Sequence, residues 1–383
     1  MTLFKRIWIV VAGASLLVAC TAKFLKYDQE DQLRKNKEFE QAVKIVEAPV
    51  ESSGGTSEPA KGPQVQPPLK MPTESASTKD VNAGKPVAEV PVINKSSIKV
   101  KPPLRAKDLP KPVVDKKSVA VKPAEPEPAR REPDLEDMDG FAPGQRRPLK
   151  DPFRVGEKVV HDVSYFKVSA GQLTLEVGPF VEVNHRKSYN FITSIQSNRT
   201  FSTFYSVDDY SKTYVDYEEL IPHVFTLHVK ESGQLREASS YFDSSTLQAK
   251  FWEKKFTEKN GHEEKKLEWE ILKYSQNVYS AAYYMRIFQW KVGKEHAFRI
   301  ADDGENIIFR GKAIRAEKIK TEAGEFNALV IKPEIEVKGL FKPMGDIFFW
   351  LSDDDRKYLL RVESKIKIGT LVTEAVEINP GNL

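Results

Sequence analysis

The sequence predicts a mainly β protein: a large curved antiparallel sheet or open β-barrel-like domain with one covering helix, preceded by a disordered proline-rich tether. Three observations predict it. Apolar residues alternate with polar ones in short runs from Phe153 to Leu383. Within those runs a single segment switches to helical period. Finally, 19 of the 24 prolines fall between Pro49 and Pro152, whereas 33 aromatic residues lie from Phe153 onward. A segment so poor in large apolar groups cannot offset the chain entropy lost on folding, so the core belongs to the second half of the chain.

In chain order, Lys5 and Arg6 form a short basic start, Ile7 to Leu17 is apolar or small throughout, and Leu17-Val18-Ala19-Cys20 follows. This is the layout of a secretory signal, with charged, apolar and small-residue regions. The apolar run is shorter than the roughly 20 residues that a membrane-spanning helix needs. Its end resembles the lipobox of bacterial lipoproteins. That resemblance implies that residues 1–20 are a signal and that Cys20 is acylated, anchoring the chain to a membrane through its acyl chains. Cys20 is the only cysteine, which excludes an intramolecular disulfide and any cysteine-based metal site. Thr21 stands after it where an aspartate would signal retention, which implies the outer membrane, with the domain facing the periplasm.

Residues 21–48 read as a polar, membrane-proximal segment. Leu25, Leu33, Phe39, Val43 and Val46 recur at loosely helical spacing without a clean N-cap, so both a short helix and a stretch of tether fit. Residues 49–152 read as a disordered linker rich in Pro, Lys and Glu. Lys95 to Lys122 holds nine basic and two acidic residues, and Glu125 to Asp139 seven acidic and two basic ones. Proline favours extended segments, so the linker is semi-rigid. Its basic block is a candidate contact for anionic lipid or cell-wall polymer.

Residues 153–383 read as the antiparallel β domain. Val159, His161, Val163 and Tyr165 alternate with more polar neighbours, as do Leu173, Leu175 and Val177, then Tyr189 to Ile195. Phe225 to Val229, Phe298 and Ile300, Ile347 to Leu351, and Ile366 with Ile368 continue the pattern. Turn residues separate the runs: Asn184-His185, Ser232-Gly233, Asp302-Asp303-Gly304, Ala323-Gly324 and Asp353-Asp354-Asp355. Val278, Ala281, Ala282, Met285 and Phe288 follow i, i+3, i+4, i+7 spacing, predicting a helix of about four turns, with Ser275 or Asn277 as N-cap and Gly293 as stop. Ala281, Met285 and Phe288 share the face expected to meet the sheet. Arg286 is displaced from it and is expected at the rim.

No standard catalytic signature is present, and no cofactor or metal site is expected. Gly304 to Gly311-Lys312 has the wrong glycine spacing for a phosphate loop. His262-Glu263-Glu264 lacks the second histidine of a zinc helix. His223 and His228 are five apart on a strand and face opposite sides. Asp208-Asp209 and Asp353-Asp354-Asp355 lack the glycine and distal glutamate of a calcium loop and read as turns. The net charge of +4 resides in the first 152 residues; the near-neutral remainder lacks the basic face that nucleic-acid binding requires.

Phe153-Arg154-Val155-Gly156-Glu157-Lys158, then Asp162-Val163-Ser164-Tyr165 and Ala170-Gly171, resemble the opening of the bacterial family called domain of unknown function 3108. Ser280-Ala281 and Tyr283-Tyr284-Met285-Arg286 are similar to its mid-domain motif. Trp350-Leu351-Ser352-Asp353-Asp354 and Ser364-Lys365-Ile366-Lys367-Ile368-Gly369 are similar to its final hairpin. The resemblance spans about residues 153–378. Asn277 departs from it where an aspartate is expected, keeping the capping ability but not the acid. The resemblance implies an envelope domain and supplies no catalytic residues. The expectation is a non-enzymatic module that binds an apolar or amphipathic envelope ligand or a protein partner, with Tyr283, Tyr284, Arg286, Trp290 and Trp350 as candidate contacts. A structural protein spanning the periplasm is the alternative, and a cell-wall or polysaccharide hydrolase is disfavoured because no paired catalytic acids stand out.

Overall fold

The computed structural model describes residues 24–47, 146–337, 340–343, 346–366 and 369–382. Cys20 and residues 48–145 fall outside these, and with them the expected signal, the acylation site and the disordered character of the linker.

Two short helices, α1 (Glu30–Arg34) and α2 (Lys37–Ala42), precede a three-residue strand, β1 (Ile45–Glu47). Eight strands then follow as one meander: β2 (Glu157–Tyr165), β3 (Val168–Val183), β4 (Arg186–Ser197), β5 (Asp208–Asp216), β6 (Pro222–Lys230), β7 (Leu235–Asp243), β8 (Gln248–Thr257) and β9 (Gly261–Glu270). After α3 (Val278–Tyr284) a second meander begins with β10 (Glu295–Asp302), β11 (Glu305–Thr321) and β12 (Gly324–Val337). It ends with β13 (Leu340–Pro343), β14 (Asp346–Ser352), β15 (Leu359–Ile366) and β16 (Gly369–Pro380).

All strand pairs are antiparallel, and β16 pairs with β2, so the two meanders fuse into one sheet whose edges are β10 and β9. β1 adds to β3, and β13 to β12. The connection from β9 to β10 joins those two edges, so the sheet has to curl to let it close. Asn306 Nδ2 donates to Glu270 O at 2.9 Å and Lys265 pairs with Asp303, which brings the edges together at side-chain range while the sheet stays open.

The expected turns sit where the alternation breaks, except that Asp208 and Asp209, read as a turn, instead open β5 and pair with Gln196 and Ile195. Asn184 and His185 take φ of 46° and 67° between β3 and β4, and Asp303 and Gly304 take 50° and 84° between β10 and β11. Such left-handed pairs match the twist of the strands they join. Ile366 ends β15 and pairs with Gly369, which begins β16; Ile368, expected to continue the run, lies outside the described residues.

The helix is shorter than its spacing suggests. Asn277 caps it: its side chain accepts from Ser280 N–H at 2.7 Å, and its own N–H donates to Ser280 Oγ at 3.0 Å. The reciprocal pair satisfies two otherwise orphaned donors. After Tyr284 the chain tightens into a 3₁₀ turn, Met285–Ile287, and Phe288 is already extended at ψ 149°. Trp290 then folds back, donating Nε1–H to Met285 O at 2.8 Å. Gly293, at φ 88°, belongs to the turn before β10 and does not stop the helix. Gly311, set aside above as part of a false phosphate loop, is instead a contact position: a Cβ there would lie 2.7 Å from Trp290.

The core under the helix gathers Phe153, Val177, Tyr189, Phe191, Tyr283, Phe288, Phe298 and Phe309. Ala281, Met285 and Phe288 all join it, the first from the helix, the second from the 3₁₀ turn and the third from the extended chain after it. On the other face of the sheet lie two further groups. Val159, Ile319, Trp350 and Leu360 form one. Val181, Val183, Tyr214 and Val224 pack against Val43 to form the other. A bulge in β3 between Gly178 and Val181 adds one residue to the strand. That shift explains why Val177 faces the helix while Val181 and Val183 face away.

Residues 24–47 are therefore part of the folded unit. β1 pairs Ile45, Val46 and Glu47 with Val183, Glu182 and Val181. Leu25 and Leu33 pack on Leu235, and Tyr27 stacks on Phe256 with ring centroids 4.1 Å apart. The unit also takes in the last residues assigned to the linker. Arg146 donates to Glu219 O at 2.9 Å and Tyr284 Oη at 2.8 Å, and Arg147 lies 3.9 Å over the Tyr217 ring.

Phe288 is fully buried between Tyr284, Trp290, His296 and Phe298. Phe288→Ala should lower unfolding stability by about 3–5 kcal/mol through lost transfer energy and a residual cavity. Urea titration followed by tryptophan fluorescence measures this; a wild-type midpoint would show that the helix does not pin the sheet.

Candidate functional site

Two polar arrangements stand out, one at each end of the strands. The first lies where β2 begins and β16 ends, Glu157 pairing with Pro380 across the seam. Glu157 is 1% exposed and Arg286 4%. The Arg286 guanidinium donates to both Glu157 carboxylate oxygens, at 2.6 and 3.0 Å, and to Pro152 O at 3.1 Å. Its Nε–H donates to Arg356 O at 2.9 Å. Arg356 in turn bonds Glu157 and donates to Pro152 O and Pro380 O, each at 2.8 Å. Ser352 Oγ–H and the N–H groups of Arg356 and Lys357 all donate to Asp354 Oδ1, which shapes the turn that presents Arg356. Burial pulls the Lys357 ammonium in this turn below its ordinary pKa. The charges of Glu157, Arg286 and Arg356 are spent on one another and on backbone carbonyls. The arrangement is a clasp, with no open position for a ligand.

The second lies at the opposite ends of β4 to β7. Leu25 N–H donates to Glu231 O at 3.1 Å and Lys230 Nζ bonds Glu30 at 2.9 Å, which seats the N-terminal segment against the β6–β7 turn. Between that segment and the β4–β5 loop runs an open groove of about 730 Å³. Phe24, Leu25 and Tyr27 give it an apolar wall, Lys26 and Lys230 supply cations balanced by Asp28 and Glu30, and Ser202 and Ser206 line the facing loop. Asp209 and Glu231 lie together beside it. Tyr205 Oη–H donates to Glu231 Oε2 at 2.6 Å, Gln234 Nε2 donates to the same oxygen at 2.9 Å, and Asp209 Oδ1 accepts from Lys230 N–H at 2.9 Å. Burial, and then the neighbouring Glu231 charge, push the Asp209 carboxyl up to about 8. Glu231 is 1% exposed, so a substrate has no approach to it.

The five candidate contacts do not form one surface. Tyr283, on the helix, is buried, its hydroxyl donating to Ile192 O at 2.8 Å. Tyr284 accepts from Arg146, and Trp290 donates within its own turn. Trp350 lies on the opposite face, because Leu351 beside it points to the helix-side core. There its Nε1–H donates to Glu317 at 2.6 Å and its ring lies near the guanidinium groups of Arg315 and Arg361. Arg286, expected at the rim, is instead in the interior. Its place next to Tyr283-Tyr284-Met285 on a buried helix, and a lone glutamate in the opening motif, were the signals available for this pair. Nothing in the sequence pointed to Glu231 as the partner of Asp209, since their contact is made across two strands.

The histidines are likewise engaged. His161 is fully buried between Leu173 O and Leu359 O, and burial lowers its pKa. His223 bonds Asp216 and His228 bonds Glu237. Among the described residues no group of three or more His, Cys, Asp or Glu side chains is placed to hold a metal ion.

The family model for proteins of unknown function DUF3108 matches residues 160–376, and the chain belongs to that family. A comparison with curated proteins finds no match. Among solved structures, a β-barrel-like protein of the domain of unknown function DUF1849 from Brucella abortus is similar at 9% identity and a TM-score of 0.36, over 59% of this chain and 98% of that one. A candidate exported protein with a YmcC-like fold from Bacteroides fragilis gives 8% identity and 0.28, over 60% and 98%. A candidate lipoprotein from Parabacteroides distasonis gives 12% and 0.27, over 60% and 99%.

Removing Arg286 takes away the bidentate partner of the buried Glu157 carboxylate and leaves it Arg356 alone. Arg286→Ala should therefore cost about 3–5 kcal/mol in unfolding stability, far more than the loss of a surface arginine. A thermal melt indistinguishable from wild type would contradict the buried placement.

The acid pair makes a separate prediction. Folded Asp209 keeps its proton up to about pH 8, whereas unfolded it releases it near its ordinary value. The folded state thus binds the extra proton in between, so stability falls as pH rises from about 4 to about 8. Asp209→Asn retains the acceptor for Lys230 N–H and should flatten that slope in denaturant titrations at several pH values. An unchanged slope would remove Asp209 as its source.

Proposed function

We propose that this member of the DUF3108 family is an envelope lipoprotein, anchored through acyl chains on Cys20, whose β domain is a non-enzymatic binding module for an amphipathic envelope ligand. The anchor rests on Lys5 and Arg6, the apolar run and the lipobox-like Leu17-Val18-Ala19-Cys20. Thr21 favours the outer membrane, with the domain facing the periplasm.

The groove beside Phe24 carries the binding reading. Its apolar wall suits an acyl or other hydrocarbon chain, and Lys26 suits an anionic group of the head, Lys230 being paired with Glu30. The groove is also formed by the segment that leads directly from the anchor, so a ligand and a membrane would meet the same part of the chain. The clasp at the far end supports this choice indirectly, since its charges are occupied internally.

Cys20→Ser should block processing and acylation. Metabolic labelling with an alkyne fatty acid tests this, and equal labelling of variant and wild type would refute the anchor. For the groove, native mass spectrometry of the chain extracted from membranes should show a bound lipid beyond the covalent acyl groups. Lys26→Glu should reduce its occupancy if the head group is anionic. Absence of any bound species from gently extracted protein would count against the ligand.

A further inference from the structure

The hairpin end that holds the groove also carries apolar side chains with no core to enter. Phe166 in the β2–β3 turn is 66% exposed, Val168 at the start of β3 is 67%, and Phe204 in the β4–β5 loop is 73%. Phe24 is 38% exposed and lies at the same end, in the groove with Ser202 and Ser206 on either side of Phe204. The loops are linked: Asn198 N–H donates to Ala170 O at 2.9 Å and its side chain donates to Ser169 O at 2.7 Å. Phe166 is held out by a left-handed backbone, φ 50°, an uncommon conformation for a bulky residue. Exposed cations at this end include Lys26, Lys167, Arg199 and Lys259, and the exposed acids there include Asp28, Asp31, Glu258 and Glu263.

What meets this end is indicated by the chain itself. Cys20 precedes Phe24 by four residues, so an acyl-bearing Cys20 lies within about 14 Å of it even if the connection is fully extended. The described segment then crosses the sheet, ending at Glu47 paired with Val181, at the other end of the strands. Arg146, where the described chain resumes, contacts Glu219 at that same far end. Glu47 and Arg146, the described residues that flank the proline-rich stretch, thus both lie on the side opposite Phe24.

We propose that the end formed by Phe24, Phe166, Val168 and Phe204 is a membrane-contacting surface, seated on the bilayer that holds the Cys20 acyl chains. It rests on the lipoprotein reading above and adds to it that the domain sits directly on the membrane. Aromatic rings and aliphatic tips suit the interfacial zone, and the cations suit anionic head groups. The proline-rich segment is then not a spacer between membrane and domain.

Cys20 is the only thiol and is blocked when acylated, so a cysteine introduced elsewhere can be labelled alone. The acylated full chain carrying Phe204→Cys, labelled with a polarity-sensitive fluorophore, would be reconstituted into phosphatidylethanolamine–phosphatidylglycerol vesicles. The control is Leu272→Cys, an exposed position just after β9 at the opposite end. The expected result is a blue-shifted emission at position 204, quenched by doxyl-labelled phospholipid, with water-like emission at 272. Flotation reports the anchor and emission reports the surface. A chain that floats while position 204 stays water-like overturns the surface and leaves the anchor standing. A chain that fails to float overturns both.

Discussion

The buried carboxylate of Glu157 is the constraint on which the arrangement of this domain depends. An ionised glutamate at 1% exposure would be strongly unfavourable without charge partners and hydrogen bonds. Both arginines come from far along the chain, one from the end of the helix and one from the β14–β15 turn, and they meet at the seam between β2 and β16. One charge therefore fixes the helix, a turn, the lead-in at Pro152 and the last strand at a single point. Buried ion pairs often contribute less net stability than apolar replacements of the same shape. What this one adds is register: a slip of β2 by one residue would turn Glu157 to the other face, away from both arginines. Arg286 also lies 5.2 Å over the Phe153 ring, so the apolar core and the clasp are continuous.

The alternation of apolar and polar residues made the strands and turns legible, because a period of two is a direct consequence of the pleat. The helix was legible too, with Asn277, its cap, one of the two candidates beside Ser275. Its length was not, because Met285, Ile287 and Phe288 stay buried through the 3₁₀ turn and the apolar signal continues past the last α-helical residue. Trp350 was grouped with the helix aromatics on residue type alone, whereas its neighbour Leu351 takes the helix-facing position. The docking of residues 24–47 was not legible. Its apolar anchors, Leu25, Leu33 and Val43, are sparse, and their partners Leu235, Val183 and Val224 lie on a strand face that alternation alone reads as solvent.

That docking changes how the chain is organised. The outer face of β5 to β8 is covered by the N-terminal segment, with Arg34 bonded to Glu237 and Phe39 against Trp252. The inner face is covered by the helix through Tyr279, which stacks on Phe225 and packs against the cluster that includes Ala238 and Phe251. A half of the sheet that would otherwise show one apolar face to water is thus covered on both. The residues on each side of the proline-rich stretch belong to this same unit, so whatever that stretch does, it does so from one domain.

An open sheet leaves two edges, and the two are handled by different means. β9 presents mostly charged side chains, with Lys254 pairing Glu264 and Lys250 pairing Glu268 across to β8. Charge along an edge discourages pairing with another chain. β10 is handled by the helix approach. Gln276 donates its N–H to Arg299 O and accepts from Ala301 N–H, both at 2.8 Å, forming a parallel bridge on that edge. Asn277, the next residue, caps the helix, so edge protection and helix start are one structure. The Gln276 side chain also donates to Leu220 O at 2.7 Å, tying this point to the β5–β6 turn. The same few residues that stop β10 from recruiting a further strand therefore place Tyr283, Met285 and Phe288 in the core. A change that loosened Gln276 would expose an edge and unseat the helix together, which links the solubility of the domain to the packing of its interior.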